Sequence, residues 1–395
     1  MLFTKVILFL FFGAQSIVKF EPALVDIFFV TLCFCFLYFF YNKKIRLFKL
    51  DIGLFWLYAI FIFFSYIAVQ WSDQYFASFS YVLKTIYLLS YLIVIPPLIG
   101  LLSRNLNDYY AALYVSFFLH IILVLYFEVY QKREFSTGLS VYRYVGFFKD
   151  PNVAAPYSVI FILITLKNII NINSSSSFLS NLISSKILRS IFLYCILFIS
   201  LIFVFLCFSR GAYLNLLVSF FIFVVLSRKF YLSVLPFIVF ISFLFIKGTD
   251  LWNFFQSRLK FMYYDSGRFS SQKLSFEYLF DNLFPIGPGR FGKFAKIFYL
   301  HDTHSLYLNI IVENGILPFI SYFSIICIIL ICLFKVLLGK LVLKDDAILI
   351  FSLIWGVLAQ SFFVGSSHWR HFYILLAFGI FIINKSYNSN QERIN

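Results

Sequence analysis

The chain has 395 residues, of which 62% are hydrophobic, 23% aromatic and only 12% charged. A water-soluble domain carries about 25% charged residues, so this composition excludes an ordinary soluble protein. Apolar runs of the length that crosses a bilayer recur along the chain, whereas a membrane β-barrel would show short segments of alternating polarity. The predicted fold class is therefore all-α: a polytopic membrane protein with about 12 transmembrane helices.

The net charge of +15 has a membrane explanation. Lys and Arg lie mostly at the ends of apolar runs, where insertion bias and anionic lipid account for them, so membrane lipid is an expected partner and nucleic acid is not. All six cysteines fall inside apolar runs, which argues against disulfides and a zinc site. We expect no metal and no cofactor.

The apolar runs divide the chain into four parts. Nine spans occupy residues 1–247, a large loop occupies 248–303, a half-buried helix and three further spans occupy 304–384, and a tail occupies 385–395. The first run, 5–19, is predicted to be a retained helix, because no small-residue cleavage site follows it. In chain order, the twelve predicted spans are 5–19, 22–41, 51–69, 78–101, 109–129, 153–170, 188–208, 211–227, 230–247, 315–337, 346–364 and 370–384.

The distribution of Lys and Arg sets the predicted orientation. With both termini in the cytoplasm, most basic residues of the short connections fall on the cytoplasmic side, as insertion favours. The loop 248–303 then lies outside the membrane on the opposite side. We expect an interfacial helix at 251–264, a second helix over 268–285 that ends at Pro285, and an irregular glycine-rich turn over 286–294.

The polar stretches near the spans all fall on the outer side in this topology. They are 142–152, 209–213, 301–305 and 366–371. Some have structural explanations: Asp150 followed by Pro151 is typical of a helix start, and Arg210 at a helix end can contact lipid phosphates. Arg370 and His371 are interpreted as interfacial anchors.

His304 opens an apolar helical segment on the outer side, with Asp302 just before it and Glu313 one short helix after it. A carboxylate at membrane depth is costly and by default marks a functional cavity. Gly315 and Pro318 are expected to break the helix, so that 304–314 forms a short, half-buried helix before the next span. His304 is the candidate catalytic residue, with Asp302 and Glu313 as supporting groups.

The outer segments also hold several arginines, namely Arg143, Arg210, Arg258, Arg268 and Arg290. Arginine binds phosphate oxygens through paired N–H donors, and histidine takes a proton from a hydroxyl near neutral pH. A phosphate leaving group, a hydroxyl nucleophile and a membrane together indicate glycosyl transfer from a lipid-linked diphosphate sugar. The predicted outer loops hold no Asp-x-Asp pair for a metal, so the arginines would neutralise the developing charge.

Four segments in this order resemble the O-antigen ligase and O-antigen polymerase superfamily of bacterial envelope glycan enzymes. They are GFFKDPNVAAPYSV (146–159), SRGAYLNLLVS (209–219), SGRFSSQKLSFEYLFDNLFPIGPGRF (266–291) and HSLYLNIIVENGILP (304–318). The resemblance covers roughly residues 140–335. It implies that His304 is the essential catalytic residue and that Arg210 and Arg268 engage undecaprenyl diphosphate. Our own hypothesis adds Arg143 and Arg290 as further diphosphate ligands.

The resemblance also implies a place and partners: the bacterial inner membrane, with a periplasmic active site. The donor is a glycan on undecaprenyl diphosphate, the acceptor is the lipid A core for a ligase or a lipid-linked repeat unit for a polymerase, and a chain-length regulator protein is a further candidate partner. In the ligase motif, Ser305 and Gly315 fit and Pro318 does not. Ligase and polymerase therefore both stay open, with the ligase as the primary prediction.

Two other classes are less consistent with the sequence. A flippase for lipid-linked oligosaccharide, the remote alternative, would show two related halves with charges near the middle of the bilayer. This chain shows no half-repeat, and its charges lie at one surface and in one loop. An intramembrane protease or lipase would show a Gly-x-Ser-x-Gly elbow, which the sequence lacks.

Overall fold

A computed structural model gives the fold. It describes residues 1–19, 22–45, 47, 49–103, 106–126, 130–134, 140–148, 150–172, 183, 185–229, 231, 263–282, 284–339 and 343–394. Arg258, the predicted interfacial helix up to Met262, and the predicted span 230–247 except Tyr231 lie outside these residues.

The described part of the chain is mainly helical, with one short antiparallel hairpin. The helices before the hairpin are α1 (Leu2–Gly13), α2 (Leu24–Tyr41), α3 (Lys49–Gln70), α4 (Tyr75–Leu89), α5 (Tyr91–Leu102) and α6 (Asn107–Tyr126). The hairpin pairs β1 (Tyr130–Glu134) with β2 (Ser140–Tyr144). The helices after it are α7 (Pro151–Ile170), α8 (Lys186–Leu206), α9 (Arg210–Ser227), α10 (Tyr263–Asp281), α11 (Phe291–Ile297), α12 (Leu306–Asn314), α13 (Ile316–Leu338), α14 (Lys344–Gln360) and α15 (Arg370–Ile394).

The helices form two compact units, each built from separate stretches of the chain. Unit 1 comprises Met1–Arg46, Pro97–Phe255 and Val342–Gly356, and unit 2 comprises Leu47–Pro96, Gln256–Leu341 and Val357–Asn395.

In unit 1, α7 is the central helix and packs against α6, α8, α9 and the β2 strand. Its apolar residues are buried almost without interruption, so α7 is surrounded by protein. At one end of α7, Lys167 forms a buried ion pair with Asp346, which also accepts a hydrogen bond from the Tyr110 hydroxyl at 2.8 Å. This ion pair joins the end of α7 to the start of α14.

In unit 2, α13 is the central helix and packs against α3, α12 and α15. The short helix α12 also contacts α3, α10 and α11, so it is enclosed by its neighbours. A small apolar core of Phe291, Ala295 and Val312 joins α11 to α12. The turn before α11 carries Arg290, the segment before α12 carries Asp302 and His304, and α12 itself carries Glu313.

Seven helices in the described residues are long and apolar enough to cross a membrane. They are Leu24–Tyr41, Leu50–Gln70, Tyr75–Leu102 (α4 and α5 taken together as one span), Pro151–Ile170, Lys186–Leu206, Arg210–Ser227 and Ile316–Leu338. The chain is therefore a polytopic helical protein, as predicted. Four other predicted spans are helical but are not among the seven: 5–19 (α1), 109–129 (α6), 346–364 (α14) and 370–384 (α15). The count of twelve stays a prediction.

Local signals placed several helix ends correctly. The Asp150 carboxylate accepts a hydrogen bond of 2.7 Å from the Asn152 N–H, and Pro151 is the first residue of α7. Gly315, with φ of +97°, separates α12 from α13. Pro318 does not break a helix, because it lies in the first turn of α13, where a missing N–H removes no helical bond.

Two boundaries in the outer loop differ from the prediction. Helix α10 begins at Tyr263 and ends at Asp281, before Pro285. At this end the Tyr278 carbonyl accepts the last helical hydrogen bond from the Asn282 N–H at 2.9 Å and a further one from the Asn282 side-chain amide at 3.1 Å. The Tyr278 hydroxyl donates to the Phe284 carbonyl at 3.3 Å, beyond the end of the helix. The irregular turn is also shorter than expected, because Gly292 already lies in α11.

Candidate functional site

The predicted site residues divide between the two units. Arg143 and Arg210 belong to unit 1, and Arg268, Arg290, Asp302, His304 and Glu313 belong to unit 2.

The glycine-rich turn before α11 is fastened to the Glu313 side chain of α12. One Glu313 carboxylate oxygen accepts a hydrogen bond from the Gly289 N–H at 2.9 Å, and the other accepts one from the Phe291 N–H at 3.0 Å. Gly289 has φ of +69°, and a Cβ there would lie 2.7 Å from the Tyr81 ring. Only glycine fits this position, since both the backbone angle and the nearby ring exclude a side chain.

Glu313 is buried, and its surroundings favour the neutral form. Burial and, second, the charge of Asp302 raise the pKa of Glu313 to about 8, while the N–H donors of the glycine turn oppose that rise. Burial also raises the pKa of Asp302, against the N–H of Thr303, which donates to its carboxylate at 2.8 Å. Two carboxyls with raised pKa values beside each other are a feature found at many functional sites and at some structural ones.

Arg290 follows Gly289 and is held by the end of α3 and the start of α4. Its Nε donates to Asp73 Oδ1 at 2.6 Å, a second guanidinium nitrogen bonds Asp73 Oδ2, and a third donates to Gln74 Oε1 at 2.9 Å. The guanidinium is buried while the Asp73 side chain is 69% exposed. The charge of Arg290 is thus neutralised within unit 2, and its predicted role in diphosphate binding stays a prediction with little support from this geometry.

His304 has an unusual backbone conformation, with φ of +51°. Non-glycine residues in this region are uncommon, carry about 1–3 kcal/mol of strain and concentrate at functional sites. The His304 side chain is partly exposed, between the buried residues Thr303 and Ser305. A constrained backbone with an accessible imidazole suits a residue that must meet a substrate in one orientation.

The backbone on both sides of His304 is fixed by hydrogen bonds. The Thr303 hydroxyl donates to the Asn309 side chain, and the Ser305 N–H donates to the Thr303 hydroxyl at 3.3 Å. The Leu306 N–H donates to the Ser361 carbonyl at 2.9 Å. These bonds attach the segment before α12 to α12 itself and to the end of α14, and they hold His304 in its strained conformation.

Arg268 lies in the first half of α10, and its side chain is partly buried. It and Arg210 are the two predicted diphosphate ligands whose side chains keep partial exposure. Arg143 and Arg290 are instead at least 96% buried. Which of the four arginines bind diphosphate stays a prediction.

In unit 1, Arg143 contacts the turn that precedes Arg210. Its Nε donates to the Cys207 carbonyl at 3.0 Å, and one terminal nitrogen lies 3.5 Å from the Phe208 carbonyl and 3.4 Å from Asn152 Oδ1. Ser209 caps α9, and Arg210 is the first residue of that helix. The structure therefore brings Arg143 to the start of α9 through the chain backbone.

Several residues that form these hydrogen bonds and ring contacts were not predicted from the sequence. Asp73 is a lone acid in the short connection between two apolar runs, but nothing in the sequence pairs it with Arg290. His368 is buried in the connection before α15, where its ring lies 4.4 Å from that of Tyr81 and its Nε2 lies 3.2 Å from the Thr85 hydroxyl. Burial, followed by the charges of Lys84 and Arg370, lowers the pKa of His368 to about 4, so it is neutral at pH 7. His371, interpreted from sequence as an interfacial anchor, is also buried.

Among the described residues, no group of three or more His, Cys, Asp or Glu side chains is arranged to hold a metal ion. Comparison of the chain with protein-family models, with curated proteins and with solved structures found no match. The resemblance stated from the motifs therefore stands on those motifs alone.

Proposed function

We propose that the chain is a metal-independent membrane glycosyltransferase of the O-antigen ligase kind. It moves a glycan from undecaprenyl diphosphate to a sugar hydroxyl of the lipid A core. The observation that carries the proposal is His304: a partly exposed imidazole on a strained backbone, fixed by hydrogen bonds on both sides and preceded by a carboxyl with a raised pKa.

The reaction assigns a role to each group. The acceptor hydroxyl gives its proton to the His304 imidazole as its oxygen bonds to the anomeric carbon of the donor sugar. The bond from that carbon to the diphosphate oxygen breaks, and the diphosphate leaves with its negative charge. Arg268 neutralises this charge, and Arg210 is proposed as a second diphosphate ligand. Asp302 supports the imidazolium that forms on His304.

The finer topology belongs to the same proposal. The chain lies in a bacterial inner membrane with twelve spans, both termini in the cytoplasm and His304 on the periplasmic face. Its donor reaches it as a membrane lipid, and a chain-length regulator protein is a candidate partner.

Polymerisation of repeat units is the alternative function with the same donor and the same chemistry. It is favoured by Pro318, which stands where the ligase motif has Gly, Thr or Tyr. In a polymerase, the acceptor hydroxyl belongs to the next lipid-linked repeat unit.

The test uses a deletion strain of the host bacterium that is complemented with the wild-type chain, with His304→Ala or with His301→Ala. His301 is the matched control, since it is an exposed histidine three residues before His304. We expect His304→Ala to abolish long O-chains on a lipopolysaccharide gel while the protein still inserts at normal levels. His301→Ala should leave the ladder unchanged.

The product that accumulates separates the two functions. Lipid-linked polymer that never reaches the lipid A core indicates a ligase, and core that carries a single repeat unit indicates a polymerase. A normal ladder from the His304→Ala strain would exclude the catalytic role of His304.

A further inference from the structure

The connection between α8 and α9 is a tight turn with a strained residue at its centre. Helix α8 ends at Leu206, and Phe208 has φ of +46° before Ser209 begins to cap α9. A non-glycine residue in this conformation persists only when the surrounding structure holds it there. Two backbone carbonyls of the turn, those of Cys207 and Phe208, accept from the Arg143 guanidinium.

Asn152 links the same guanidinium to the helix cap. Its side-chain oxygen accepts from Arg143 at 3.4 Å and from the Ser209 hydroxyl at 2.8 Å. The Ser209 hydroxyl oxygen in turn accepts from the Ala212 N–H at 3.4 Å. A chain of hydrogen bonds thus runs from Arg143 through Asn152 and Ser209 into the first turn of α9, where Arg210 is the first residue.

Arg143 is 3% exposed, and these acceptors replace the water that its charge loses on burial. A diphosphate that bound this buried guanidinium through Nε or the same terminal nitrogen would displace acceptors that hold the turn. The pairing of one planar guanidinium with two carbonyls and an amide oxygen is a geometry that lysine cannot reproduce.

We propose that Arg143 is a positioning residue for Arg210: it fixes the Cys207–Ser209 turn and thereby sets the place and direction of Arg210, and it does not itself bind the diphosphate. The inference rests on the proposed role of Arg210 in diphosphate binding. It predicts that the effect of Arg143 on donor binding passes through Arg210.

The first experiment measures the affinity of the purified, membrane-reconstituted protein for undecaprenyl diphosphate. The variants are Arg143→Ala, Arg143→Lys, Arg210→Ala and the double variant Arg143→Ala with Arg210→Ala. Losing a charge-assisted hydrogen bond costs about 10-fold or more in affinity, so Arg210→Ala should weaken binding by at least that factor. Arg143→Ala and Arg143→Lys should both weaken binding, and the double variant should match Arg210→Ala within about 2-fold.

Two results of this experiment would overturn the inference. One is a double variant in which the two losses multiply, as expected for two independent diphosphate ligands. The other is wild-type affinity in Arg143→Lys, which would mean that charge alone suffices. Arg189→Ala is the control, since Arg189 is a part-buried arginine near the opposite end of α8 whose guanidinium lies 3.5 Å from the Ile172 carbonyl.

A second experiment needs no donor and therefore separates this inference from the proposed function. Arg210→Cys is introduced with all six native cysteines replaced by alanine, and its reaction rate with a membrane-impermeant thiol reagent is measured. Adding Arg143→Ala should change the rate by about 3-fold or more, and adding Arg189→Ala should not. Equal reaction rates with and without Arg143→Ala would overturn the inference.

If Arg210→Ala binds the donor normally, the proposed role of Arg210 in diphosphate binding fails, and the thiol reaction rates still decide the positioning role of Arg143. Asn152→Ala, which removes only the shared acceptor, replaces Arg143→Ala if the latter does not fold.

Discussion

Glu313 is a carboxyl whose two oxygens both accept hydrogen bonds from the backbone of the glycine turn before α11. From sequence it was expected to support His304, but its observed bonds go to the N–H groups of Gly289 and Phe291. Glu313 therefore stabilises the turn that carries Arg290, and any effect of Glu313 on His304 stays a prediction.

The raised pKa of Glu313 predicts how stability depends on pH. Burial and the charge of Asp302 raise that pKa from 4.5 to about 8, so between these values the folded chain holds a proton that the unfolded chain has released. The free energy of unfolding should therefore fall as pH rises through this window and level off above it. The pKa of Asp302 is also raised, and its contribution has the same sign.

The measurement is the Tm of the detergent-solubilised protein from pH 5 to pH 9. Glu313→Gln should lower the Tm throughout this pH range, because the amide group places a donor against a backbone N–H. It should also reduce the slope of Tm against pH, since the titrating carboxyl is gone. Glu277→Gln, an exposed carboxyl paired with Lys273 on α10, is the control and should keep the wild-type slope. An undiminished slope in Glu313→Gln would show that other groups cause the pH dependence.

At the scale of elements, close helix packing in unit 1 depends on a glycine. A Cβ on Gly356 of α14 would meet the side chains of Ser219 and Asn215 of α9 and would lie 2.8 Å from the Asn215 backbone oxygen. Small residues let helices approach closely inside a membrane, where packing contacts drive their association. Gly356 therefore sets the distance between α14 and α9.

Gly356→Ala should destabilise the protein by about 1–3 kcal/mol, as expected for overpacking that a backbone atom cannot relieve. The Tm in detergent should fall accordingly. Gly100→Ala is the matched control, since Gly100 is a helical glycine of the same unit with no atom within 4 Å of its Cβ position. Equal Tm values for the two variants would mean that α14 and α9 separate without cost.

At the scale of the whole molecule, the placement of Lys and Arg predicts both termini in the cytoplasm and the loop 248–303 in the periplasm. Alkaline phosphatase fused after Tyr299, a residue that is 97% exposed, should be active. The same enzyme fused after Asn42, in a predicted cytoplasmic connection, should be inactive, and green fluorescent protein at the C-terminus should fluoresce. The reverse pattern would place His304 on the cytoplasmic side and exclude the proposed reaction there.

Features that depend on local chemistry could be predicted from the sequence. Long apolar runs specify membrane helices because the backbone must satisfy its hydrogen bonds within each segment. Asp150 and Pro151 specify the start of α7, and Gly315 specifies the break before α13, because capping and positive φ are properties of a few adjacent residues.

The partners of the charged side chains could not be predicted from the sequence and are seen in the folded structure. Arg143, Arg210, Arg268 and Arg290 look alike in the sequence, yet Arg290 pairs with Asp73, 217 residues away, and Arg143 holds the backbone before α9. An arginine binds a protein carbonyl, a carboxylate or a phosphate through the same donors. Which of these it meets depends on contacts between distant segments, and those contacts form only when the helices pack.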